Sequence, residues 1–283
     1  MENIVALITP FKNDMVDYHG LRELVLMHIR QKTDKLLLLG TTSEAPCLSY
    51  EEKRKIISEV SSLASNKIEL MGSLCVNNLN SLKAELSLYE GVNIKSFLVI
   101  TPYYNKATPD GLYAYFKEAA SIINKDIIII YDVLSRTNYN LSLDEIKRLM
   151  TIKNIKGIKL ASADAKKIRE VCRLSSSSFR VYCGDDLAMM DFLVYGAAGT
   201  ISVMSNVISE IIKKIMESYN KGEHKASLEL FRKYEALMEK CLGPLNPVGI
   251  KALMNALDMP AGSLRLPLKE KTGLKDELYA LWS

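Results

Sequence analysis

The chain has 283 residues, 48% hydrophobic and 25% charged, with 37 basic against 33 acidic side chains and a formal net charge of +4. This is the composition of a globular protein with a sizeable core, enough for one large domain or two small ones. The two signs of charge are interspersed, so there is no footprint for nucleic acid or a membrane surface, and no apolar run reaches the ~18 residues of a membrane span. The five cysteines, Cys47, Cys75, Cys172, Cys183 and Cys241, form no CxxC pair. An odd, scattered set argues against a disulfide framework or a zinc site and for buried thiols in a reducing compartment. Residues 1–11 lack the basic start and long apolar stretch of a signal peptide. The expectation is a soluble, cytoplasmic protein that needs no metal.

Short β-rich runs alternate with longer helical patterns. Strands are expected at Ile4–Ile8, Lys35–Leu39, Ile68–Met71, Ser96–Ile100, Ile127–Tyr131, Gly157–Lys159, Arg180–Cys183 and Gly199–Val203. Unbroken apolar blocks such as Leu36–Leu39 and Ile127–Ile130 predict strands buried on both faces, as in parallel sheets. Between them, Leu21–Arg30, Tyr50–Leu63, Leu79–Tyr89, Gly111–Ile123, Ser142–Leu149, Ala165–Leu174, Leu187–Val194 and Ser209–Tyr219 carry helical spacing. Ser49 with Glu52, and Ser142 with Glu145, read as capping boxes. Gly222 and Gly243 read as helix stops. Eight strand–helix units, each of roughly 20 to 32 residues, predict a (β/α)8 TIM barrel. No GxGxxG follows the first strand, which weakens a dinucleotide-binding reading. The barrel is assigned residues 1–222. Residues 223–283 are assigned a C-terminal helical extension, with helices at Glu223–Leu242, Pro247–Leu257 and Asp276–Trp282.

Active sites of such barrels lie at the carboxyl ends of the strands. The segments there are Gly40-Thr-Thr-Ser-Glu44, Thr101-Pro-Tyr-Tyr-Asn105, Tyr131-Asp-Val-Leu-Ser-Arg136, Lys159, Gly184-Asp-Asp186 and Ile201-Ser-Val203. They offer an amine, hydroxyls and a guanidinium. A lysine at the end of a buried strand has its ammonium disfavoured, and the free amine attacks carbonyl carbon. Thr41, Thr42, Tyr104 and Tyr131 supply hydroxyls for the proton transfers of imine and enamine formation. Arg136 can grip a carboxylate with two hydrogen bonds. Each residue alone has a plainer role. Lys159 could be a solvated strand cap, Tyr103 and Tyr104 a packing pair, and Arg136 a surface charge. Asp185 and Asp186 read as caps of the helix starting at Leu187.

Together these segments resemble the dihydrodipicolinate synthase / N-acetylneuraminate lyase family of lysine-dependent aldolases. The resemblance runs from Ala6-Leu-Ile-Thr-Pro-Phe11 through the segments above to Asn246-Pro247 and Leu264-Arg-Leu-Pro267. It implies a barrel enzyme without a cofactor, assembled as a homotetramer or homodimer. It implies a Schiff base between Lys159 and pyruvate, with Tyr131 as the proton-transfer phenol and Thr41 and Tyr104 completing a relay. A tyrosine from a neighbouring subunit reaches the site in such enzymes, and Tyr103 is placed near the subunit contact. Thr42 is implied to hold the pyruvate carboxylate, with Ile201 and Gly184 lining the substrate site. Arg136 matches the synthase branch, which condenses pyruvate with L-aspartate-4-semialdehyde on the diaminopimelate route to lysine. The alternative is an aldolase for a sugar acid, such as a 2-keto-3-deoxy acid or N-acetylneuraminate. A non-catalytic, regulatory relative is a third reading, and the intact set of Thr41, Tyr104, Tyr131 and Lys159 argues against it. Five positions depart from the family. Ser43 replaces a Gly, Asp132 and Leu134 replace the Asn and Pro of Tyr-Asn-Val-Pro, Leu160 replaces a Glu, and Asn138 also replaces a Gly. The sequence expectation is that losing the proline frees the loop carrying Arg136, and that Asp132 adds negative charge near a site for acids.

Overall fold

The computed structural model describes residues 1–124, 126–242 and 246–282, and the expected helix stop at Gly243 lies outside them. The strands are β1 (Glu2–Ala6), β2 (Phe11–Lys12), β3 (Met15–Val16), β4 (Lys35–Leu38), β5 (Glu69–Leu74), β6 (Ser96–Ile100), β7 (Ile127–Asp132), β8 (Ile155–Leu160), β9 (Arg180–Cys183) and β10 (Gly199–Ser202). Eight of them close into a parallel barrel in the order β1-β10-β9-β8-β7-β6-β5-β4. All eight expected strands are present, shifted by at most a few residues. The β2–β3 hairpin, with Phe11 opposite Val16, has too few residues to show a period and was not foreseen.

The helices are α1 (Tyr18–Arg30), α2 (Tyr50–Ala64), α3 (Leu79–Ser87), α4 (Pro109–Ile123), α5 (Leu134–Thr137), α6 (Leu143–Leu149), α7 (Ala165–Cys172), α8 (Met189–Val194), α9 (Ser205–Asn220), α10 (His224–Leu242), α11 (Val248–Ala256) and α12 (Leu274–Trp282). Both capping boxes form, at Ser49/Glu52 and Ser142/Glu145. Asp17, Asn78, Thr108 and Asp164 cap four further helices by accepting backbone N–H groups. Thr108 with Pro109 starts α4 two residues before the expected Gly111, as proline at a first helical position allows. Helix α9 begins at Ser205 and kinks at Ile208, so the expected start at Ser209 falls just past the kink. No helix among the described residues is long and apolar enough to cross a membrane.

The chain divides into two compact units. One comprises Met1–Glu2 and Met71–Ile201, and holds β6 to β9 whole. Ile128, Ile129 and Ile130 are buried there, whereas Ile127 at the strand entrance is 41% exposed, so the expected block loses its first residue to solvent. The other unit comprises Asn3–Leu70 and the chain from Ser202 onward. In it β1 pairs with β4, Ile4 opposite Lys35. Asn3 donates to the Ser209 carbonyl and Asn206 donates to the Ala6 carbonyl, which ties β1 to α9. The turn at Gly222 (φ +84°) separates α9 from α10, as expected of a helix stop.

Strand β8 runs close against β9 at Gly157. A Cβ there would lie 2.4 Å from the Arg180 carbonyl oxygen and 2.9 Å from Ile129 Cδ1. Gly157→Ala is therefore expected to destabilise the protein by about 1–3 kcal/mol in urea unfolding, because backbone has to move to admit one methyl group.

Candidate active site

Strand alternation decides which rim residues can meet. Tyr131 and Lys159 are register partners across β7 and β8, as are their neighbours Asp132 and Leu160. Successive side chains point to opposite faces, so the two pairs face opposite ways. Lys159 is 4% exposed, and its Nζ lies 4.5 Å from the centre of the Tyr131 ring. Burial lowers the lysine pKa to about 8, outweighing the opposite pull of Asp186, Cys75 and Cys183, and the Arg136 guanidinium lowers it further. About a tenth of the amine is thus uncharged at pH 7, far more than for a lysine in water.

Gly184 borders the lysine. A Cβ on it would sit 3.0 Å from Lys159 Cε and 3.0 Å from the Leu160 carbonyl oxygen, so the glycine leaves room for the lysine stem. Asp185 accepts from the Leu187 N–H, as expected of a cap. Asp186 differs: it is buried, and its charge acts on Lys159. Ile201 is buried in β10. Tyr103 donates to the Cys75 carbonyl at 3.4 Å, and Asn77 donates to the Tyr103 carbonyl at 3.3 Å. Tyr104 does not join Lys159 within the chain. It is 92% exposed and takes a left-handed backbone, φ +69°.

Two of the feared departures face away from the lysine. Leu160 is buried on the opposite face of β8. Asp132 is buried beside Lys167 of α7, Oδ2 to Nζ 2.6 Å, so its charge is matched there and not added to the Lys159 side. The Arg136 segment is not a free loop either. It forms the helical turn α5, in which Thr137 Oγ1 donates to the Val133 carbonyl. Leu134 occupies the first position of that turn, a place proline also tolerates. Asn138 (φ +51°) closes it in a left-handed conformation that asparagine adopts readily in place of glycine. Arg136 itself is exposed.

In the other unit, Thr41–Ser43 form a single 3-10 turn after β4. Thr42 is buried, and its hydroxyl accepts from the Asn246 amide at 3.2 Å. Ser43 donates to the Gly40 carbonyl at 2.7 Å, so the serine that replaces glycine fastens its own turn. Glu44 follows in a left-handed conformation, φ +55°. Its carboxylate meets Lys251 of α11 at 2.6 Å and accepts the Arg265 backbone N–H at 3.0 Å. Lys251 also donates to the Ser263 carbonyl, and Arg265 binds Glu52 through two nitrogens. Sequence reasoning gave Glu44, Lys251 and Arg265 no role, although Glu44 and Arg265 stood inside quoted motifs. The signal for Lys251 was a lysine on the apolar helix α11.

Among the described residues no group of three or more His, Cys, Asp or Glu side chains could hold a metal ion. The model of the dihydrodipicolinate synthetase family matches residues 1–280. The chain belongs to that family. A 4-hydroxy-tetrahydrodipicolinate synthase from Clostridium perfringens is 36% identical over 267 residues, 94% of this chain and 91% of the relative. One from Methanococcus aeolicus is 37% identical over 264 residues, 93% and 91% of the two chains. A solved structure of chloride-inhibited dihydrodipicolinate synthase from Acinetobacter baumannii, complexed with pyruvate, superposes with a TM-score of 0.92 at 30% identity and covers 99% of this chain and 97% of that one.

Removing one partner of a buried ion pair strands the other charge. Lys251→Met is expected to cost about 3–5 kcal/mol of stability, and Glu44→Gln/Lys251→Met to recover most of it, both measured by urea unfolding.

Proposed function

We propose that this protein is a 4-hydroxy-tetrahydrodipicolinate synthase, a lyase of the pyruvate-dependent aldolase class that condenses pyruvate with L-aspartate-4-semialdehyde. The observation that carries the reading is the buried Lys159 amine under the Tyr131 ring, with a pKa lowered to about 8 by burial. Neutral Lys159 attacks the pyruvate ketone, the carbinolamine loses water, and an iminium remains. Loss of a methyl proton gives an enamine, whose terminal carbon bonds to the aldehyde carbon of the semialdehyde. The amino group of the semialdehyde then displaces Lys159 and closes the ring, so one water is released overall. Tyr131 carries protons in these steps. Thr41 completes the relay, Thr42 holds the pyruvate carboxylate, and Ile201 and Gly184 line the substrate site. Arg136 holds the carboxylate of the semialdehyde.

Tyr104 belongs to the relay of a second copy of the chain. Its nearly complete exposure supports this, since the ring is open to a neighbouring subunit. Tyr103 lies near that contact, and the working form is a homotetramer or homodimer in the cytoplasm, serving lysine and diaminopimelate biosynthesis. The sugar-acid alternative loses support because Asp132 and Leu160 face away from Lys159.

Borohydride reduction with pyruvate is expected to add one pyruvate-derived mass at Lys159, and Lys159→Ala to abolish it. Below pH 8 the ammonium dominates, so the trapping rate should be half-maximal near pH 8 and fall about tenfold per unit below it. Arg136→Ala removes a repelling charge, which should move that midpoint upward, and should raise KM for the semialdehyde about 10- to 100-fold. Release of pyruvate from a sugar acid, with no turnover of the semialdehyde, would replace this reading with the alternative.

A further inference from the structure

Asp132 and Leu134 stand just before Arg136, and the structure shows how the chain around Arg136 is held. Asp132 is the last residue of β7, on the face opposite Tyr131. Its carboxylate meets Lys167 at 2.6 Å, with the Asp132 side chain 1% and the Lys167 side chain 15% exposed. Lys167 also donates to Asn140 Oδ1. Burial pushes the Asp132 carboxyl above its usual range, and Lys167 and the Leu141 backbone N–H pull it back. One ammonium therefore fastens the chain four residues before Arg136 and four residues after it. Between these anchors, Thr137 Oγ1 donates to the carbonyl of Val133 at 3.1 Å and accepts from the Tyr139 N–H at 3.3 Å. Tyr139 in turn donates to Glu145 of α6. A proline would stiffen this segment by fixing one backbone angle. Position 134 is leucine here, and the contacts that span the segment are those of the Lys167 ammonium. A pair this deeply buried has a desolvation cost, so its retention calls for a task that conformational order can supply.

We propose that Asp132, Lys167 and Asn140 form a clamp that holds the Arg136 turn in place and thereby sets the affinity for the carboxylate of the aldehyde substrate. These are positioning residues. They act through Arg136, and the second part of the proposal rests on the functional reading given above.

The test compares the full-length wild type with Lys167→Met, Asp132→Asn/Lys167→Met and Asp132→Asn/Lys167→Met/Leu134→Pro. The double variant removes both charges, so it folds without a stranded carboxylate. Hydrogen exchange by mass spectrometry reads residues 134–141. Steady-state kinetics reads KM for pyruvate and for L-aspartate-4-semialdehyde separately. The expected result for the double variant is exchange in 134–141 at least tenfold faster, KM for the semialdehyde raised at least fivefold, and pyruvate trapping on Lys159 within twofold of wild type. Restoring the proline should recover most of the semialdehyde KM. Unchanged exchange would overturn the clamp. Faster exchange with an unchanged semialdehyde KM, or an equal rise in both KM values, would overturn its role in affinity. If wild type traps pyruvate and does not turn over the semialdehyde, the functional reading fails instead. Exchange then still decides the clamp, and the KM comparison moves to the sugar acid whose cleavage releases pyruvate.

Discussion

The desolvation of one amino group shapes this protein. Lys159 stands at the end of a strand whose neighbours are apolar, and taking its ammonium out of water costs more than Asp186, Cys75 and Cys183 return. The residues around it are arranged for that outcome. Gly184 clears space for the lysine stem, and Tyr131 faces it across the β7–β8 pair with both ring and register. Arg136 adds a like charge that pushes in the same direction as burial. A surface lysine would stay charged across the physiological range.

A lowered pKa is not peculiar to Lys159. Lys251 is also buried and is also brought to about 8, chiefly by desolvation. It differs in its partners. A carboxylate at 2.6 Å and a carbonyl at 2.8 Å occupy its protons, so it serves as a structural rivet. That rivet joins helix α11 to Glu44, next to the Thr41–Ser43 turn, and Arg265 extends it to Glu52. The C-terminal helices thus have a physical connection to the turn that carries Thr41 and Thr42.

The departures from the family pattern look different once the side chains are placed. Ser43 hydrogen-bonds within its own turn, Asn138 accepts the left-handed conformation, and Leu134 starts a helical turn. Asp132 and Leu160 lie on the outer faces of their strands. Of these residues, Asp132, Leu134 and Asn138 are the ones within four positions of Arg136.

The amino-acid order alone determined the eight-strand alternation, since unbroken apolar blocks such as Leu36–Leu39 need cover on both faces, and it determined helix starts such as Ser49 and Ser142, whose caps are local. It also singled out Lys159, Tyr131, Thr42 and Arg136, because residues at strand ends can be counted from strand boundaries. Tertiary structure decided what depends on facing. A strand's two faces differ by one residue, so motif reading could not tell that Asp132 turns to Lys167 while Tyr131 turns to Lys159. Nor could it pair Glu44 with Lys251, because 207 positions of chain separate them and only the fold brings the two charges to 2.6 Å.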